Sequence, residues 1–245
     1  MEVVLSIAGS DSSAGAGIQQ DLKTITALGC YGATVITAIT SQNTMGVQHV
    51  MPVPGHVVSS QMESVFTDLD VKAVKIGMIP NREVAERIVA RLRNNPCKYV
   101  VYDPVMISTS GARLMTEDCI DYVQRELMPL CTLVTPNIPE ADVLDLCALQ
   151  EAGVAYLVKG GHADGEMMND TLCLADGGRQ VYSSQRIITA NLHGTGCTLS
   201  SAIATYLAKG TSLTESVLLA KEYIKRAILA GRHLGVGHGN GPLWF

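Results

Sequence analysis

Short runs of β-branched and aliphatic residues recur along the chain, at Val3 to Ala8, Thr34 to Ile39, Ala73 to Ile76, Tyr99 to Tyr102, Leu133 to Thr135 and Ala155 to Val158. Continuous apolar runs of this length fit strands covered on both faces. Between them the apolar period changes to that of a helix. In "NREVAERIVARL", Val84, Ile88 and Leu92 share one face opposite Arg82, Glu86 and Arg93. The segment "TSLTESVLLAKEYIKRAILAG" opens with Ser or Thr as a cap, carries Val217, Ala220, Ile224, Ala227 and Ile228 along one stripe, and closes at Gly231. This alternation predicts parallel βαβ units in an α/β domain.

Two stretches depart from the pattern. "DTLCLADGGRQVYSSQRI", from Asp170 to Ile187, alternates apolar and polar positions around Asp-Gly-Gly and predicts a hairpin at a small antiparallel edge near 170–187. After "TPNIPEADVL", only "DLCALQEAG" precedes the strand in "VAYLVKGG". A parallel crossover with its helix needs at least ~10–12 residues, so this crossover is minimal or the chain lacks residues here. With no repeat, low-complexity tract or linker, residues 1–245 read as one domain.

Composition narrows the partners. A chain of 245 residues with 47% hydrophobic side chains can fill a core, and 23 glycines against 4% aromatics suit many tight βα turns. The formal charge of −5, with no Lys/Arg-rich run, speaks against nucleic acid. The start "MEVVL" lacks a basic leader, and no apolar run reaches the ~18 residues of a membrane span, so a soluble cytoplasmic protein without membrane attachment is expected. Seven scattered cysteines show no CxxC spacing and read mostly as reduced core residues.

In open parallel sheets the chemistry lies at the carboxyl ends of the strands. The first strand leads into "AGSDSSAGAGIQQDLKT", a glycine and serine loop before a helix starting near Gly17. Asp21 lies one turn into that helix, either aimed at the cleft or simply exposed. The next strand ends at Gln42, whose amide can donate and accept in one plane against a heteroaromatic ring. "KIGM" offers Gly77 for close approach and Met78 as a flat cover, unless the methionine is only core. "VVYDPVM" and "LVTPNIPEAD" bring Asp103, Asn137 and Glu140 to adjacent mouths, oxygen ligands of the kind Mg²⁺ takes beside phosphate. Glu140 would equally suit the first turn of a helix. Lys159 in "LVKGGH" can reach phosphate as a point charge. In "HGTGCTLSSAIA", Gly194, Thr195, Gly196 and Cys197 would present successive free N–H groups at a helix start, an anion hole.

The loops "GSDSSAGAGIQQDLKT", "SQNTMGVQ", "KIGM", "DPVMISTSG", "TPNIPEAD", "VKGGH" and "HGTGCTLSSAIA", in this order and across most of the chain, resemble the hydroxymethylpyrimidine/phosphomethylpyrimidine kinases of thiamine biosynthesis, in the ribokinase-like superfamily. The resemblance implies a three-layer α/β/α fold, ATP and Mg²⁺, and two successive phosphorylations of 4-amino-5-hydroxymethyl-2-methylpyrimidine. It implies that Asp21 and Gln42 hold the pyrimidine, with Gly9, Ala16, Met78 and Val105 lining it. Asp103 and Glu140 would face the metal, and Asn137, Lys159 and Thr195 the nucleotide. Lys159, Gly194, Gly196 and Cys197 would carry the transfer. In sugar-kinase relatives an aspartate base stands where this chain has Cys197. A helix N-terminus lowers a thiol from its usual ~8.5, so Cys197 is expected as a thiolate base, or else as a small residue against the ring. The superfamily also implies a homodimer formed through a sheet edge. The chain departs from the family at Ser12-Ser13-Ala14, where Pro-Ser-Gly or Ser-Ser-Gly is common, and at the short crossover after Leu144. Alternatives are a pyridoxal or pyridoxine kinase on the same scaffold, a sugar kinase, and a non-catalytic pyrimidine-binding module.

Overall fold

The computed structural model describes residues 1–107, 114–162 and 165–245. Nine strands form one sheet: β1 (Val3–Asp11), β2 (Tyr31–Asn43), β3 (Gly46–Pro52), β4 (Val71–Ile76), β5 (Tyr99–Tyr102), β6 (Leu133–Val134), β7 (Ala155–Val158), β8 (Met167–Cys173) and β9 (Arg179–Gln185). Their spatial order is β3-β2-β1-β4-β5-β6-β7-β8-β9. The six strands from β2 through β7 in that order pair in parallel, while β3, β8 and β9 add antiparallel edges. All six predicted parallel strands and the predicted hairpin are therefore present. The second antiparallel edge, β3, is a finding of the structure.

The helices are α1 (Gly17–Ala27), α2 (Gly55–Asp68), α3 (Arg82–Asn94), α4 (Glu117–Tyr122), α5 (Ile138–Ala141), α6 (Leu146–Glu151), α7 (Thr195–Ala208) and α8 (Leu213–Gly231). They cover both faces of the sheet. Alternate strand residues divide between two cores, as a pleat of period two requires. Leu5, Ile7, Val74 and Val100 meet Val58, Met62, Val84 and Ile88 on one side. Val4, Ala73, Val101 and Leu133 meet Leu199, Ile203 and Val217 on the other. The α3 stripe forms as its spacing predicts, with Val84, Ile88 and Leu92 buried and the Asn81 side chain accepting the Val84 N–H as N-cap. In α8, Ser212 caps Glu215 N.

The crossover from β6 to β7 is minimal: two short helices, α5 and α6, span it, each opened by a side-chain cap from Asn137 or Asp145. The chain order reverses across β1, with β2 on one flank and β4 on the other. Such a switch point opens a crevice at the strand carboxyl ends, and the loops after β1, β2, β4, β5, β6 and β7 converge there. All seven cysteines are free, and Cys30, Cys119, Cys131 and Cys173 are buried. Among the described residues, no helix is long and apolar enough to cross a membrane.

Candidate active site

The crevice holds a cavity of about 240 Å³. Its first wall is the loop after β1, and Asp11 organises that loop. One carboxylate oxygen, Oδ1, accepts from Ser13 N and Ser13 Oγ, both at 2.8 Å. The other, Oδ2, accepts from Gly15 N at 3.1 Å and Ala16 N at 2.8 Å. Burial alone would raise the Asp11 carboxyl, but the hydrogen bonds from His193 and Ser13 bring it below its ordinary value. Gly17 then turns into α1 with φ of +58°, where a Cβ would collide with the Gly9 carbonyl.

The ring-facing side joins Gly9, Ala16, Gln42, Met78 and Val105 in the cavity wall. A Cβ on Gly9 would stand 3.0 Å from Met78 Sδ, so that glycine makes room for the thioether. Gln42 lies on β2, in a chain of polar contacts. Its Nε2 is 3.2 Å from His193 Nε2, which is 2.9 Å from Asp11 Oδ2. Its Oε1 is 3.1 Å from Thr40 Oγ1, which also lies 3.0 Å from the Ser10 carbonyl. Charged Asp11 requires a hydrogen on His193 Nε2, so that nitrogen cannot also accept from Gln42. The single Thr40 hydroxyl hydrogen likewise cannot serve two acceptors. Turning the Gln42 amide by half a rotation replaces a donor facing a donor with Oε1 beside the histidine N–H that Asp11 already accepts, and lets Nε2 donate to Thr40, freeing its hydroxyl hydrogen for the Ser10 carbonyl.

Asp21 corrects an expectation. It sits one turn into α1 as the sequence places it, but it is fully buried beneath the cavity and absent from its wall. Its Oδ2 accepts from Ser6 Oγ at 2.6 Å and from Lys75 Nζ at 2.8 Å, and its Oδ1 has no partner among the described residues. Lys75, equally buried, does line the cavity. Burial opposes its charge, but Asp21, Cys197 and Asp103 more than compensate and raise it above the usual lysine value. Gly77 accommodates it, since a Cβ there would lie 2.8 Å from Nζ.

The opposite side carries charge. Asp103, at the end of β5, accepts from Lys159 Nζ at 2.6 Å and Thr135 Oγ1 at 3.1 Å, both through Oδ1. Its Oδ2 faces Gly196, whose missing Cβ would lie 3.2 Å away. Asn137 and Glu140 form a capping box at the start of α5: Glu140 N donates to Asn137 Oδ1 and Asn137 N to Glu140 Oε2, each at 2.9 Å. Glu140 therefore performs the helix-cap role and also lines the cavity. Burial, only partly offset by Lys159 and reinforced by Asp103, pushes Glu140 up to about 7. Two buried carboxylates, one of them strained toward the neutral form, fit a divalent cation whose other oxygens come from phosphate and water.

The HGTGC loop closes the site. Gly194 adopts φ of +83°, with no room for a Cβ beside the Gly15 carbonyl. The run of free donors is shorter than expected, because Thr195 N donates to the Leu192 carbonyl at 3.2 Å. Gly196 and Cys197 lie in the first turn of α7, where helix donors lack intrahelical partners. The expected lowering of Cys197 is overturned as well. Burial pushes its thiol up to about 11, outweighing the Lys75 ammonium and the Gly17 N–H.

Asp11, Lys75, Thr135 and His193 were not assigned roles from the sequence. A lysine inside the apolar run "VKAVKI" was the available signal for Lys75. The end of "DPVMISTSG", from 108 to 111, and the His162 side chain of "VKGGH" lie outside the described residues.

A parallel sheet whose switch point joins a ring-sized slot to paired carboxylates, a lysine and a helix start defines a small-molecule kinase of the ribokinase-like superfamily. Comparison with known proteins agrees. The chain is 49% identical to the hydroxymethylpyrimidine/phosphomethylpyrimidine kinase of Rhizobium meliloti (strain 1021), over 98% of this chain and 96% of that one. Its fold matches a crystal structure of phosphomethylpyrimidine kinase from Clostridium difficile 630 with TM-score 0.82 and 43% identity, over 93% and 100% of the two chains. An ADP complex of Bacillus subtilis pyridoxal kinase matches with TM-score 0.89 and 32% identity, over 100% and 97%. The family model described as phosphomethylpyrimidine kinase matches residues 11–244, and the chain belongs to that family.

Proposed function

We propose that the protein transfers phosphate from ATP to the hydroxymethyl group of 4-amino-5-hydroxymethyl-2-methylpyrimidine and then to the resulting monophosphate, in thiamine biosynthesis. One observation carries this reading: a single cavity brings the slot of Gly9, Gln42, Met78 and Val105 against the charged cluster of Asp103, Glu140 and Lys159, with Cys197 in the same wall. Gln42 reads the ring edge while Gly9, Ala16, Met78 and Val105 fit its faces. Asn137, Lys159 and Thr195 serve the nucleotide. Asp103 and Glu140 hold Mg²⁺, which when bound supplies charge neutralisation to the phosphate oxygens.

With its thiol raised, Cys197 does not rest as a thiolate. It acts as base only after its own proton has left for solvent, giving a thiolate that the Lys75 ammonium stabilises; that sulfur then takes the acceptor hydroxyl proton as the new O–P bond forms and the bond from the γ-phosphorus to ADP breaks. Phosphoryl transfer depends chiefly on positioning and charge, so a modest base suffices. Gly194 and Gly196 let the backbone approach the transferring group, and Lys159 supplies the point charge.

The deciding experiment incubates the protein with ATP and Mg²⁺ and, in parallel, the hydroxymethylpyrimidine, its monophosphate and pyridoxal. Pyrimidine mono- and diphosphates are expected. Rapid pyridoxal phosphorylation with no pyrimidine turnover would overturn the reading in favour of the vitamin B6 alternative, which the similarity to the Bacillus enzyme keeps in play. The same reading takes residues 1–245 as one domain, supported by the continuous sheet, and the protein as a homodimer through the β3 edge, supported by exposed Ile39 and Met51. A single cooperative unfolding transition and a dimeric sedimentation mass are the expected results.

A further inference from the structure

Behind Lys159 lies an ion pair that the proposed reaction does not use directly. Asp170 on β8 is buried, and its Oδ2 is 2.6 Å from Lys221 Nζ of α8. Its other oxygen, Oδ1, accepts the Gly160 N–H at 2.7 Å. The register explains why that second bond matters. The β7–β8 ladder pairs Tyr156 with Cys173, Leu157 with Leu172 and Val158 with Thr171. Continued by one residue it would pair Lys159 with Asp170. Lys159 instead stays paired only on its other side, bridged in parallel to Asn137 with its N–H donating to the Pro136 carbonyl at 2.8 Å, and the chain then enters a tight turn over Gly160–His162. The Asp170 carboxylate takes the first N–H of that turn. A Cβ on Gly160 would strike the Asn169 backbone, so turn and strand are already pressed together there.

We infer that the Asp170–Lys221 pair is a positioning device for Lys159: it ends β7 at that residue and aims its ammonium at Asp103 and Gly196, an inference that rests on the phosphate-side role proposed above. Lys221 contributes twice. It neutralises a carboxylate that would otherwise oppose phosphate near Lys159, and it fastens the turn to α8. That helix packs through Val217 and Ala220 into the core that holds Leu199 and Ile203 of α7, the helix carrying Gly196 and Cys197 at its start. Tyr182 Oη, donating to the Thr214 carbonyl at 2.9 Å, ties the β8–β9 hairpin to the same helix. The two phosphate-facing segments are thereby braced against one element. An ion pair this buried adds little net stability over an apolar pair of the same shape, so its effect lies in register and aim.

The test uses the full chain with Asp170→Asn, Lys221→Met and Lys221→Arg, each alone and combined with Lys159→Met. Misplacement of a catalytic group by about 1 Å can reduce turnover ~10²-fold. Asp170→Asn and Lys221→Met should therefore lower kcat at least about tenfold, leave the pyrimidine KM within about twofold, and weaken AMP-PCP binding, while Lys221→Arg restores most of the activity. In the Lys159→Met background neither change should lower kcat or AMP-PCP affinity further. Effects that multiply undiminished in that background would overturn the inference, as would full activity in Asp170→Asn. If no acceptor is phosphorylated by the wild type, the proposed function fails, and the AMP-PCP titrations still decide the inference. If Asp170→Asn does not fold, the Lys221 pair of variants carries the same comparison.

Discussion

Replacing Lys75 with methionine keeps an unbranched side chain one atom shorter but removes the only cation paired with Asp21 among the described residues. In the folded protein the Asp21 carboxylate is fully buried, and among the described residues its Oδ1 has no partner and only Ser6 Oγ at 2.6 Å would remain on Oδ2. Breaking one partner of a buried pair costs about 3–5 kcal/mol. The loss can be avoided only by protonating Asp21, whose carboxyl burial already raises. A group raised in the folded state contributes its stability below the unfolded value and loses it as pH rises toward the folded value. The variant should thus come closest to wild-type stability in acid and become progressively less stable as pH rises toward neutral. Urea unfolding across that range measures the trend. Adding Asp21→Leu should remove the pH-dependent penalty and recover most of the stability, because an apolar pair replaces an ionic one. A Lys75→Met variant within about 1 kcal/mol of wild type at neutral pH, with no added pH dependence, would refute the buried-pair reasoning.

Three further outcomes are expected. Cys197→Ser should lower kcat at least ~10²-fold with ATP binding little changed, and a loss smaller than about threefold in steady-state assays would reduce Cys197 to a packing residue. Gln42→Leu leaves the His193 N–H and the Thr40 hydroxyl without their amide partner and should weaken pyrimidine binding by about 1–3 kcal/mol in calorimetry. Glu140, raised to about 7 in the fold against an ordinary 4.5, subtracts stability as pH rises between those values. Added Mg²⁺ with nucleotide should therefore raise the thermal midpoint more at pH 8 than at pH 5.5, and Glu140→Gln should flatten that difference.

The parts of the fold legible in the sequence were those buried on both faces. Six parallel strands show themselves because each core demands apolar residues at every position, and α3 because Val84, Ile88 and Leu92 repeat at its period. β3 escaped because an edge strand half in water carries no such run, as "GVQHVMP" shows. The site divided in the same way. Loop residues were found because glycines and carboxylates stand out at strand ends. Depth was not legible: whether Asp21 faces the cleft or the core depends on Lys75, 54 residues away. The partnership of Gln42 and His193 spans 151 residues and has no local signature. The Cys197 thiol was misjudged because a helix start is visible in sequence, whereas the burial that outweighs it is not.

The stretch from His193 to Cys197 spans the cavity. At one end His193 touches Asp11 and Gln42, and at the other Gly196 lies against Asp103. Chain length is therefore under opposite constraints in two neighbouring loops. Beyond Asn137 and Glu140, which line the cavity, the β6–β7 crossover only returns the chain to the sheet, and it does so through the short helix α6. The five residues of HGTGC measure the distance between the acceptor slot and the phosphate cluster, so one residue added or removed there would put the two halves of the site out of step while leaving each intact.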